Sequence, residues 1–174
     1  MMKRNGQAMP GTGSATELHN PASSEAAIVG HPLHPSLIPF PVVYLFSAAL
    51  TDIAFNYTQD QFWLHASLWL IGAGVIMAAV AGIFGAADFL SRRAIREENY
   101  SWYHGLGNGV ILILALINWI MRLSDRQPGQ PLTLGNGEMT LSIVCALGVL
   151  VTAWIGGEMV YKRLMGTHPQ AKRY

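Results

Sequence analysis

The chain is short of charge. Of its 174 residues only 12% are Asp, Glu, Lys or Arg, about half the share found in soluble globular proteins, while 51% are apolar and mean hydropathy is +0.30. So few charges cannot cover a domain of this length, and so much apolar material excludes disorder over most of it. An excess of one sign is missing too. With net charge +1 and pI near 8.0 there is no basic field for a phosphate backbone, which excludes nucleic acid as a partner. Cysteine is almost absent. Cys145 alone cannot form an intrachain disulfide, a zinc ribbon, a CxxC redox pair or an all-cysteine iron–sulfur cage, so any metal falls to His, carboxylate or a porphyrin.

The 21 charges are also unevenly placed. Residues 26–51, 61–87, 99–121 and 139–157 carry none, giving uncharged runs of 26, 27, 23 and 19 residues. About 20 apolar residues in a helix cross the hydrocarbon core of a bilayer. The expected fold is therefore all-α: an integral membrane four-helix bundle with helices at about 38–57, 63–88, 103–121 and 140–161. A soluble bundle would keep a charged face on each helix, and a transmembrane barrel needs alternating strands of about ten residues. Neither pattern is present. Residues 1–28 read as a polar, Gly/Ser/Pro-rich disordered tail without the apolar stretch of a signal peptide, 29–166 as the membrane domain and 167–174 as a short C-terminal tail.

Lys and Arg divide 9 to 2 between the two sides of such a bundle, with Arg92, Arg93 and Arg96 in the second loop and none in the 58–62 loop. Both termini are expected in the cytoplasm. Phe62, Trp63 and Trp119 would mark one interface, and Trp102, Tyr103 and Tyr161 the other. Small residues recur every four positions at Gly74, Ala78, Gly82 and Ala86, at Gly105 and Gly109, and at Gly148, Thr152 and Gly156. In lipid such stripes let backbones approach, either within the bundle or, for the GLGNG segment, in a homo-oligomer.

Polar groups at membrane depth are costly and mark function by default. Toward the cytoplasmic side come His31 and His34 in HPLHP, Asp88, His104 and Glu158; toward the other side come Asp52, His65, Asn118 and Arg122. Pro32 and Pro35 favour polyproline geometry, which would set His31 and His34 about 9 Å apart on one side of a stiff segment. On the third helix His104, Asn108, Ile111, Ala115, Asn118 and Arg122 share one face, which must turn into the bundle. His65 and His168, at or beyond helix ends, read as interfacial, and His19 as solvated. Plainer roles stay open for Asp88, as a partner of Arg92 or Arg93, and for Asp52, as a partner of Arg122.

HPLHP, Asp52, Gly85 with Asp88, His104, the Asn118 to Arg122 pair, and Gly156-Gly157 followed by Val160-Tyr161 resemble the bacterial membrane proteins catalogued as domain of unknown function 2231, over about residues 29–166. The resemblance implies four membrane helices with both ends inside. It also implies redox surroundings, since some relatives are joined to Rieske-type iron–sulfur modules. Lys162-Arg163 depart from the glycine or histidine segment that the resemblance leads one to expect there.

Three chemistries follow from these residues. The first is a b-type haem ligated by His104 with His34 or His31, its propionates met by Arg92 or Arg93, serving electron transfer with a redox partner protein. The second is a non-haem iron or zinc site of His31, His34, His104 and Asp88. In the third the chain has no cofactor and is a structural or partner subunit in which Asp52, Asn118 and Arg122 form a buried polar lock. Ser47, Ser67 and Ser142 have no evident base, so hydrolase chemistry is not expected.

Overall fold

A computed structural model describes residues 31–163 together with Ser24, Ala27, Ile28 and Met165. The remainder of the two expected tails, with His19 and His168, lies outside the described residues. A two-residue strand β1 (Ala27–Ile28) pairs antiparallel with β2 (His31–Pro32). Six helices follow: α1 (Leu33–Leu37), α2 (Pro39–Thr58), α3 (Gln61–Ser91), α4 (Arg93–Arg96), α5 (Asn99–Ser124) and α6 (Asn136–Arg163). Four segments, Leu33–Thr58, Gln61–Ser91, Asn99–Ser124 and Asn136–Arg163, are long and apolar enough to cross a membrane. Each segment extends beyond the span expected for it, because backbone hydrogen bonding continues past the uncharged run into the polar residues at the helix ends.

Local chemistry explains the boundaries. Pro39 opens α2, where its missing N–H has no intrahelical acceptor to lose. Gln59 ends that helix in the left-handed region (φ 57°), its N–H donating to the Phe55 carbonyl. Asp60 then caps α3 by accepting from the Phe62 N–H at 2.9 Å. Glu138 in the first turn of α6 and Lys162 and Arg163 in its last both suit the helix dipole.

HPLHP corrects an expectation. Only His31 and Pro32 are extended; Leu33–Leu37 is helical, and no polyproline run carries both imidazoles. Pro35 falls within the first turn, where backbone N–H groups lack intrahelical partners in any helix, so it costs no hydrogen bond. The Ser36 hydroxyl donates to the Pro32 carbonyl at 2.8 Å and reinforces the turn.

The long helices pack in a ring. α2 lies against α3 and α6, α5 lies against α6 and α3, and α2 and α5 face each other across the centre. Leu45, Ala48, Ile71, Val75, Ile111, Ala115, Cys145 and Val149 form the core. Large apolar side chains cover the outside, among them Trp69 (77% exposed) and Trp154 (74%), as a lipid-facing surface requires and an aqueous one does not tolerate.

Small residues work inside the ring in some places and not in others. A Cβ on Gly74 would meet Leu45, one on Gly148 would meet Ile111, and one on Gly72 would stand 2.8 Å from Cε2 of the Trp119 indole. Gly82, Gly105 and Gly109 instead face open space, and within GLGNG it is Gly107 that abuts a neighbour, Thr152. Gly72→Ala forces a rigid ring to move, with an expected loss of about 1–3 kcal/mol in denaturant titration of the micelle-embedded protein. Gly109→Ala, made in parallel, should be neutral; equal losses in the two variants would contradict this packing.

Candidate functional site

Two polar clusters occupy opposite ends of the bundle, one half-buried and one buried. At one end α1 carries His34 and the second turn of α5 carries His104. Their rings lie edge to face, centroids 6.1 Å apart with an interplanar angle of 88°. Each imidazole rests against a glycine of the neighbouring helix: a Cβ on Gly85 of α3 would stand 2.8 Å from His34 Cε1, and one on Gly156 of α6 would stand 2.8 Å from His104 Cε1. Each also uses Nδ1 in the same way. His34 Nδ1 is 2.7 Å from the Ala81 carbonyl and His104 Nδ1 is 3.0 Å from the Thr152 carbonyl. A carbonyl oxygen only accepts, so both rings carry their proton on Nδ1 and leave the Nε2 lone pair for another partner. For His104 the amide of Asn108 donates toward Nε2 at 3.2 Å, while the Asn108 oxygen accepts from the Thr152 hydroxyl at 3.0 Å.

The helices around these imidazoles are tied together at their ends. Phe89 of α3 packs edge-on to Trp102 of α5 with centroids 4.8 Å apart, and the Trp102 indole N–H donates to the Arg96 carbonyl. Arg163 of α6 pairs with Glu98 at 2.6 Å and lies over the Tyr100 ring at 4.1 Å. Arg96 donates to the Phe89 and Leu90 carbonyls at the end of α3.

The structure brings His34 and His104 together but does not assemble the four-residue metal set of His31, His34, His104 and Asp88. His31 is exposed on β2, and Asp88 is buried with its carboxylate accepting from Ser24 at 2.7 Å. Among the described residues no group of three or more His, Cys, Asp or Glu stands close enough to hold one metal ion. Of the arginines at the end of α3, Arg92 is half-buried, whereas Arg93 is turned to solvent and pairs with Glu97 at 2.6 Å, which raises its pKa.

At the other end Asp52 of α2 and Arg122 of α5 form a two-pronged ion pair, with Nη1 to Oδ1 at 3.0 Å and Nη2 to Oδ2 at 2.6 Å. Asp52 is wholly buried and Arg122 is 6% exposed. The guanidinium is fully satisfied, since Nε donates to Asn118 and the remaining two N–H groups to Ser67 and Ser142. Asn118 in turn donates to Ser142 at 2.9 Å. Ser67 and Ser142, which sequence reading left without partners, are thus part of this cluster. The available signal was position: Ser67 lies two turns before Gly74, and Ser142 two turns before Val149, on the inward stripes of α3 and α6. A cavity of about 10 Å³, room for roughly one water, separates Arg122 from Leu132 and Thr133. Gln61 closes the loop over it by exchanging two hydrogen bonds with the Leu132 backbone, at 3.1 and 2.9 Å.

Four long apolar helices in a ring, their outer faces apolar and the Asp52–Arg122 pair enclosed within, define a polytopic helical membrane protein. Within that class the chain belongs to the family described as predicted membrane protein, domain of unknown function 2231, whose model matches residues 30–169. No curated protein and no solved structure matches it.

Proposed function

We propose that this membrane protein holds a b-type haem between His34 and His104 and carries single electrons within the membrane. The observation behind the reading is the matched imidazole pair. Two rings from facing elements stand at one level with both Nδ1 atoms engaged by carbonyls, the outer-sphere arrangement that orients ligating histidines and raises their basicity. Haem supplies reversible one-electron exchange when bound. The chain's own part would be to present two Nε2 lone pairs and to offer Arg92 and Arg93 to propionates at the end of α3.

The same reading sets the location. We assign the histidine end to the cytoplasmic side of the inner membrane, because the α3–α5 connection there bears Arg92, Arg93 and Arg96 while the α2–α3 connection bears no Lys or Arg. A redox partner protein would then dock on the cytoplasmic face. The open side of Gly105 and Gly109 is where a second copy of the chain would pack.

One observation favours a cofactor-free subunit instead: Asn108 already occupies His104 Nε2, and the two rings lie edge to face. A visible spectrum decides between them. Protein expressed with ample haem supply and purified in mild detergent should show a Soret band with sharpened α and β bands on reduction. Stoichiometric iron or zinc without a Soret band would replace haem by a non-haem metal, and neither metal nor absorbance would leave the structural subunit.

A further inference from the structure

We infer that the protein is built as two equivalent helical hairpins, α1 to α3 and α5 to α6, related by a pseudo-two-fold axis along the membrane normal, with Gly85 and Gly156 as the matched residues that position His34 and His104 beside that axis. The equivalence can be read in the spacing. Asp52 follows His34 by 18 residues and Arg122 follows His104 by 18, so the two residues of the ion pair hold the same place in their halves. The carbonyl that receives His34 lies 47 residues on, and the one that receives His104 lies 48 residues on. In both hairpins a glycine follows that carbonyl by four residues, Gly85 after Ala81 and Gly156 after Thr152. Chain segments match there too: Ile83-Phe84-Gly85-Ala86 stands where the second half has Trp154-Ile155-Gly156-Gly157.

Packing has the same symmetry. Exchanging α2 with α5 and α3 with α6 turns the contacts of α2 on α3 into those of α5 on α6, and the contacts of α2 on α6 into those of α5 on α3. Residues near the axis must then meet their own counterparts. They do so at both ends, His34 with His104 and Asp52 with Arg122. Repeats of parallel topology related in this way build membrane sites at their interface. The glycines have one job in this scheme. Each lets an imidazole lie flush on its partner helix so that Nδ1 reaches the carbonyl one turn earlier; a methyl there would stand 2.8 Å from ring atoms and push the ring off that carbonyl.

The test uses the full chain, freed of any haem, in nanodiscs at pH 8 with ¹⁵N-labelled histidine. Signals are assigned by His34→Gln and His104→Gln. In the unaltered protein both imidazoles should show the Nδ1–H tautomer, and either one found as Nε2–H overturns the inference without any variant being needed. Gly85→Ala should shift the ring nitrogens of His34, and Gly156→Ala should shift those of His104 to a similar extent. Gly105→Ala, next to His104 but facing open space, should shift neither. Perturbation of the same histidine by both glycine variants, of neither, or equally by Gly105→Ala would refute the matched roles. The measurement needs no cofactor, so a missing Soret band removes the haem reading and leaves this inference standing on its own result.

Discussion

Replacing Asp52 or Arg122 by Ala should each lower stability by about 3–5 kcal/mol, the usual cost of leaving one member of a buried ion pair uncompensated. Both residues are almost fully buried, and all five guanidinium N–H groups have acceptors from Asp52, Asn118, Ser67 and Ser142. Asp52→Ala removes two of those acceptors and the only carboxylate bonded to Arg122 among the described residues. Arg122→Ala strands a fully buried carboxylate without its cation. Asp52→Asn keeps the shape and some of the hydrogen bonds, so its loss should fall between wild type and Asp52→Ala. A double variant, Asp52→Leu with Arg122→Met, removes both charges at similar volume and should regain most of the stability, because the desolvation cost vanishes along with the attraction. Denaturant titration in mixed micelles measures all four. If Asp52→Ala lay within about 1 kcal/mol of wild type, the pair would be only an incidental contact.

The second large effect concerns the imidazoles. On the proposed haem reading, His34→Ala and His104→Ala should each abolish the Soret band in purified protein, whereas His31→Ala should retain it. His34 and His104 share one level with their rings edge to face, and each has its Nδ1 held by a carbonyl. His31 is exposed on a short strand outside the helical ring. Loss of the band in His31→Ala with retention in His34→Ala would move the ligand to the first histidine of HPLHP. Asn108→Ala removes the donor on His104 Nε2 and should tighten haem binding if that nitrogen is a ligand. If His104 only braces the bundle, the same change should leave the spectrum as it was and weaken the packing of α5 on α6 through Thr152.

Depth and face were legible in the chain because each rests on a local regularity. The inward stripe from His104 through Asn118 to Arg122 follows from helical period alone, and Ile111, Ala115, Asn118 and Arg122 are indeed buried. The pairing of His34 with His104 was only partly legible. Both could be placed near one end, but choosing His34 over His31 needed the helical turn at Leu33–Leu37, which the two prolines of HPLHP argued against. Ser67 and Ser142 looked idle because a hydroxyl's partner is a matter of which helices touch, and no pattern within α3 or α6 reports that. The two-hairpin equivalence is hard to read in the chain for a similar reason: it shows in distances between unlike residues, such as Asp52 and Arg122, and hardly at all in identity.

What the sequence by itself determined was the solvent. Uncharged runs long enough to cross a bilayer leave a chain no other stable way to satisfy its backbone than as helices in lipid, and that constraint acts residue by residue. Only the tertiary structure decided which rare polar groups meet. That choice depends on the order of helices around the ring and on where a glycine lets a neighbour come close, as Gly85 does for His34 and Gly156 for His104. In lipid, where apolar burial contributes little to choosing between arrangements, close backbone approach and complete pairing of a few buried charges select the packing.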